Sequence, residues 1–223
     1  MSYSIPKEYV VLDFETDGLP KGGDYSGVDI TEVGHILWDG STIASHKQGL
    51  AQPARDGIVV PLTAKIVEIT HITDEMLAGK PLPVELFEQE CKELVYGDVH
   101  IVGHNIIGFD RHFCDKYCDM LGWPHIDPHR YSDTAALFKT YRRAHRTGNV
   151  DWSLPYNKQQ FLDWSINVLE RSWHRDQVKF NLGAAVGYLG IPQFGIPFER
   201  HRAIFDDVLT QRVLERLREE MNL

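Results

Sequence analysis

The sequence predicts an α/β fold: a mixed β-sheet flanked by α-helices. Three features carry the expectation. The stretch "EYVVLDFETDGL" (8–19) opens as a buried strand. Two further strand-like segments follow, parted by the turn signal Asp39-Gly40. After them, short apolar runs alternate with segments of helical period. Strands joined by a tight turn pair antiparallel, whereas strands separated by helices pair in parallel. The expected sheet therefore has three antiparallel strands followed by parallel ones.

Taken in order, residues 8–15 form the first strand. "GVDITEVGHILWDG" (27–40) and "STIASHKQGL" (41–50) form the next two, with Asp39-Gly40 as a hairpin turn. "VPLTAKIVEITHITDEML" (60–77) has helical spacing. Within it, Thr73 is placed to cap a short helix whose first turn carries Asp74 and Glu75. "PVELFEQECKELV" (83–95) is an amphipathic helix with Pro83 at its start. "DVHIVGHN" (98–105) is an apolar strand ending in polar residues. "GFDRHFCDKYCDMLG" (108–122) is a helix closed by Gly122, and "HRYSDTAAL" (129–137) is a short strand running into a helix. The segment 201–221 is a long amphipathic helix with a mixed-charge exposed face.

The 223 residues suit a single domain. One stretch departs in composition. Residues 139–180 carry eight Lys or Arg against four Asp or Glu, with Tyr141, Trp152, Tyr156, Phe161, Trp164 and Trp173 among them. An insertion at about 141–180 is expected there. Aromatic rings among cations suit single-strand binding; a small core under an added helix, or a homodimer interface, would use the same rings.

No apolar run approaches the roughly 18 residues that a membrane span needs. The N-terminus has no basic region followed by an apolar run, so a cytoplasmic location is expected. Cys91, Cys114 and Cys118 cannot all pair, which argues against a disulfide scaffold. Cys114 and Cys118 lack a common zinc spacing, and buried thiols on one helix face are the expectation. The net charge of −9 argues against a protein that coats nucleic acid through a basic face. It leaves room for one that grips only a strand end, because carboxylates that hold divalent metal inflate the negative count.

Asp13 and Glu15 break the pattern of the first strand. Being two apart, they leave it on one face, while Leu12 and Phe14 point the other way. Two such carboxylates repel each other unless something cationic joins them. Carboxylates at strand ends are the usual harness for hard divalent cations such as Mg²⁺. "IVGHNIIGFDRHF" adds Asn105 and Asp110 between a strand and a helix, and "HRAIFDDV" places His201 five residues ahead of Asp206.

This set resembles the DEDD superfamily of 3′–5′ exonucleases, which share a ribonuclease H-like fold. Its D-x-E motif is matched by Asp13 and Glu15, and its second motif by Asn105, Phe109 and Asp110. His201 and Asp206 match the third motif of the histidine branch, H-x-x-x-x-D, seen in the proofreading exonuclease subunit, ribonuclease T and oligoribonuclease. "ITDEMLAGKP" (72–81) and "SDTAALF" (132–138) also look like family segments. The resemblance covers roughly residues 8–140 and 180–215. It implies two Mg²⁺ or Mn²⁺ ions held by Asp13, Glu15, Asp110 and Asp206, with His201 as general base in a phosphodiester hydrolysis. Asp206 keeps the family spacing, and Asp207 does not. Asp133 matches a position read as the cap of the following helix.

The resemblance further implies a single-stranded DNA or RNA 3′ end as substrate, with DNA favoured. Thr16, Gly18 and Leu19 would line the terminal nucleotide, Leu19 as an apolar wedge, with His71, Asn105 and Phe109 around it. Three departures bear on substrate choice. Asp17-Gly18 stands where many relatives have Thr-Gly, three residues separate Asn105 from Phe109, and His71 replaces a common glycine. The alternatives are a strand-end binding module of weak activity, or a proofreading subunit that acts with a DNA polymerase partner.

Overall fold

In the computed structural model, residues 4–148, 158–170, 179–199, 202–221 and 223 are described. Strand β1 (Tyr9–Thr16) occupies the centre of a five-stranded sheet, and its composition suits that place. Val10, Leu12 and Phe14 are buried on one face, and Tyr9 and Val11 on the other. A strand covered on both faces needs apolar residues at successive positions rather than alternate ones. β2 (Ile30–Trp38) and β3 (Ile43–Leu50) extend the sheet antiparallel from one edge of β1. On the other edge, β6 (Ile101–Gly103) and β7 (Tyr131–Asp133) add in parallel. The order is β3-β2-β1-β6-β7. The connection from β2 to β3 turns at Asp39–Thr42, where Gly40 has a φ of +93° and the Asp39 carboxylate accepts from the Ser41 and Thr42 amides.

Between β3 and β6 lie a small hairpin, β4 (Ala54–Arg55) and β5 (Ile58–Val59), and three helices: α1 (Ala64–Thr70), α2 (Asp74–Leu77) and α3 (Pro83–Tyr96). The sequence reading missed the hairpin, although its turn residues Asp56 and Gly57 both take positive φ, as a tight two-residue turn requires. It placed the start of α2 at Thr73 but not the end of α1. His71 ends α1 in the left-handed region at φ 57°, and Thr73 restarts the chain by accepting the Met76 amide.

Helix α3 and helix α4 (Asp110–Leu121) cover the Leu12 face with Leu86, Phe87, Cys91, Phe113, Cys114, Tyr117 and Cys118. All three cysteines are free and buried there. The Val11 face is covered by α5 (Thr134–Thr147), α7 (Leu182–Leu189) and α8 (Ala203–Met221), through Leu137, Phe138, Val186, Ile204, Val208 and Leu214. Each such side chain, fully buried, contributes about 1.5–3 kcal/mol.

A further helix, α6 (Lys158–Glu170), lies inside the segment expected to be an insertion. Its Val168 and Leu169 are buried and its Trp164 packs at the border of both cores. These residues therefore follow the core reading of that stretch. Trp152, Tyr156 and Trp173 lie outside the described residues, as does the side chain of Phe161.

Helix α8 approaches the sheet most closely at Gly34. A Cβ added there would lie 2.6 Å from the Ile204 nitrogen and 2.8 Å from the Ala203 Cβ. Gly34 pairs with Asp13 across the β1–β2 ladder, so the glycine lets the helix start beside that carboxylate. Gly34→Ala is expected to destabilise the protein by about 1–3 kcal/mol through overpacking. Urea unfolding checks this, and an unchanged midpoint would mean that α8 does not bear on β2 there.

Candidate active site

Strand β1 delivers Asp13 and Glu15 to the face that α8 covers, continuing the parity of Tyr9 and Val11. Helix α8 brings Asp206 in its first turn. One ligand oxygen from each of Asp13, Glu15 and Asp206 lies within 4.8 Å of the others. Asp110 is the first residue of α4 and is buried. Its Oδ1 accepts the Phe14 amide at 3.1 Å, which ties it to the backbone between Asp13 and Glu15. Asp110 stands beside the group of three and not within it. His201 lies outside the described residues.

The electrostatics follow from this crowding. Burial first, then the charges of Asp110, Glu15 and Asp206, hold the Asp13 carboxyl well above the usual carboxylate range. Glu15 is pushed up to about 8 by burial and by Asp206 and Glu32. Asp110 is pushed up to about 7 by burial, against the pull of the Phe14 amide. Asp206 rises to about 6, again by burial and by Glu32. Among the described residues, no ion pair neutralises Asp13, Glu15 or Asp206. Half-buried oxygen donors, mutually repelling and with no ion-pair partner among the described residues, suit hard divalent ions such as Mg²⁺ or Mn²⁺.

The loop that carries Asn105 is organised by one carboxylate. Asp133 accepts the Asn105 and Ile107 amides at 3.0 Å each, and the Ala135 and Ala136 amides at 2.9 and 3.4 Å. It caps α5, as its sequence position suggested, and it also holds the turn that leads to Asp110. That turn needs the support, because Asn105 has a φ of +71°. Phe109 packs against Phe113 with ring centroids 5.2 Å apart, and against Tyr25 at 6.3 Å.

After β1, the Thr16 hydroxyl donates to the Gly18 carbonyl at 2.7 Å, and Leu19 is 74% exposed. Arg55 of the β4–β5 hairpin anchors this loop by donating to Asp17 and to the Gly27 carbonyl, both at 2.6 Å. His71 occupies the left-handed C-cap of α1.

Several residues around the site escaped the sequence reading. Glu32 faces Glu15 across the β1–β2 ladder and is fully buried. Arg202 holds it, directly after His201 in the chain. Asp207 does not keep the family spacing, yet it is buried, and among the described residues neither of its oxygens is hydrogen-bonded. Burial and Asp206 push its carboxyl up. Glu32 was legible in part: an acid at the parity of buried Ile30 and Ile36 signals a partner or a site.

The family model described as exonuclease (RNase_T) matches residues 10–167. A segment of the PolC-type DNA polymerase III of Bacillus subtilis is 36% identical over 105 residues, which is 47% of this chain and 6% of the relative. The PolC-type polymerase of Lacticaseibacillus paracasei is 30% identical over 123 residues, 54% of this chain and 8% of that protein. The chain thus matches less than a tenth of the length of these curated relatives. Among solved structures, an exonuclease I aligns with a TM-score of 0.63 at 16% identity, covering 96% of this chain and 41% of that one. Exonuclease X in complex with 5′-overhanging duplex DNA aligns at 0.58 and 19%, covering 96% and 93%. The nuclease domain of 3′hExo, a DEDDh member bound to rAMP, aligns at 0.58 and 13%, covering 96% and 92%. The expected ribonuclease H-like mixed sheet is borne out by these alignments.

The raised carboxyls make metal-free stability depend on pH. Their proton affinities are higher in the folded chain than in the unfolded one, whose carboxylates titrate near about 4. The folded state therefore holds more protons between those values, and stability falls as pH rises from about 4 towards 8. A thermal melt in EDTA is expected to drop over that range, and added Mn²⁺ to raise the midpoint more at pH 8 than at pH 5. A melt that ignores both pH and Mn²⁺ would contradict the crowded-carboxylate account.

Proposed function

Since this chain belongs to the exonuclease family, we propose that it is a metal-dependent 3′–5′ exonuclease releasing nucleoside monophosphates from single-stranded nucleic acid, DNA by preference. The observation that carries the reading is the convergence of Asp13, Glu15 and Asp206 within 4.8 Å. Asp13, Glu15 and Asp206, with Asp110 beside them, would hold two Mg²⁺ or Mn²⁺ ions. Such ions, when bound, stabilise the attacking and leaving oxygens of an in-line displacement at phosphorus.

The chain's own residues do the rest. His201 takes a proton from the attacking water, for which an imidazole near neutral pH is suited. The new bond joins that oxygen to phosphorus, and the bond to the 3′ oxygen of the preceding nucleotide breaks. The shortened strand leaves with a 3′-hydroxyl, and the freed nucleotide carries the 5′-phosphate. Thr16 and Gly18 shape the pocket for the terminal nucleotide. Leu19, largely exposed, meets its base or the one before it. Asn105, Phe109 and His71 complete the surroundings. Residues 1–223 would form one exonuclease unit, with about 141–180 as an addition to it.

The similarity to segments of PolC-type polymerases favours a second reading of the biological role, in which the exonuclease works beside a DNA polymerase. A pure binding module fits less well, because a metal-free acidic site repels phosphates.

The test is digestion of 5′-labelled single-stranded DNA and RNA with Mg²⁺, Mn²⁺ or EDTA. The expected result is a metal-dependent ladder shortening from the 3′ end, abolished by Asp13→Asn. His201→Ala should slow turnover by about 10²–10⁴-fold, as loss of a general base does. If neither polymer is shortened under any metal, the enzyme reading falls.

A further inference from the structure

Glu32 is a carboxylate that lies against the candidate metal cluster but is already occupied. It pairs with Glu15 in the antiparallel register, so the two side chains share a sheet face. Arg202 Nε donates to its oxygens at 2.9 and 3.1 Å, and Arg202 Nη2 adds a short bond to Oε1. The Ala203 amide donates to Oε2 at 2.9 Å, and Gln48 Nε2 to Oε1 at 2.7 Å. Ala203 opens α8, so Glu32 caps that helix from a neighbouring strand. The Asp206 amide bonds back to the Arg202 carbonyl at 3.1 Å, which places Asp206 one turn beyond the pinned residue.

Two effects follow from this geometry. A helix N-terminus held by a buried carboxylate cannot fray, so Asp206 stays aimed at Asp13 and Glu15. Arg202 is also committed elsewhere, to Glu32 and, through Nη1, to Glu199 at 3.3 Å. Without Glu32, the guanidinium would be left with exposed Glu199 and with Glu15, whose carboxylate already feels its charge. A buried ion pair is weak support for stability in itself, whereas breaking one leaves a charge seeking a partner.

We propose that the Glu32–Arg202 pair is a positioning device for the metal site, pinning the start of α8 against β2 and keeping Arg202 off the carboxylates that bind divalent ions. The proposal rests on the reading of Asp13, Glu15 and Asp206 as metal ligands.

Three measurements on the full chain test it. Isothermal titration with Mn²⁺ alone compares wild type, Glu32→Gln, Arg202→Lys and the double variant Glu32→Gln/Arg202→Gln. Glu32→Gln is expected to weaken Mn²⁺ binding tenfold or more, because the freed guanidinium turns to Glu15. The double variant should recover most of that affinity, since no stray cation remains. Hydrogen exchange without metal should show faster exchange at residues 203–206 in Glu32→Gln, with the middle of α8 still protected. Steady-state assays should show a lower kcat with KM little changed, and Arg202→Lys should fall between wild type and Glu32→Gln.

Mn²⁺ affinity and exchange within twofold of wild type in Glu32→Gln would overturn the proposal. A double variant no better than Glu32→Gln would overturn the part given to the stray charge. Should Glu32→Gln fail to fold, Arg202→Lys with wild-type Mn²⁺ affinity and exchange would overturn it instead. If wild type itself takes up no Mn²⁺, the metal-ligand reading fails. Exchange at 203–206 then still reports whether Glu32 pins the helix.

Discussion

Mutual repulsion among crowded, half-buried carboxylates is the constraint around which this molecule is arranged. Asp13, Glu15 and Asp206 come from a strand and a helix remote in sequence, yet their oxygens gather within 4.8 Å. Nothing in the side chains favours that gathering. Charges of one sign at such separations cost several kcal/mol at the effective dielectric of a protein interior. The approach is enforced by apolar packing beneath it: Val11 and Ile36 from the sheet against Ile204, Val208 and Leu209 from α8. The fold thus spends part of its burial energy on holding a site that is unfavourable until protons or cations enter it.

Small features around the cluster become intelligible in that light. Gly34 removes a Cβ that would stand between β2 and the first turn of α8. Asp133 gathers four amides and so fixes a left-handed residue, Asn105, ahead of the buried Asp110. Arg55 clamps the loop after β1 through Asp17, and leaves Leu19 projecting from a fixed base. In each case an inflexible contact lies just behind a side chain with a proposed chemical role. That is where preorganisation must come from when the groups themselves repel.

Much of this was legible in the chain. Asp13 and Glu15 interrupt an apolar strand at one parity, and that face was readable from the period of two. Thr73, Pro83, Gly122 and Asp133 marked helix ends because caps obey local stereochemistry. Thr73 showed where α2 starts but not where α1 ends, since the apolar spacing of 60–77 continues through His71 and only its backbone angle ends the helix. The burial of Asp207 was not legible for a related reason. A second acid beside Asp206 looks solvent-facing in sequence, whereas α8 is buried on most of its circumference and leaves Asp207 no route to water.

By itself, the sequence determined the strand and helix periods, the caps, the family motifs and the face on which Asp13 and Glu15 stand. Each is a property of neighbours along the chain, set by sterics over a few residues. Tertiary structure alone decided that Glu32 sits across from Glu15, that Arg202 is committed to Glu32, and that Gly34 admits α8 beside Asp13. Those are relations between residues up to 170 positions apart. They depend on sheet register and on how closely a helix lies on it, which no local pattern encodes.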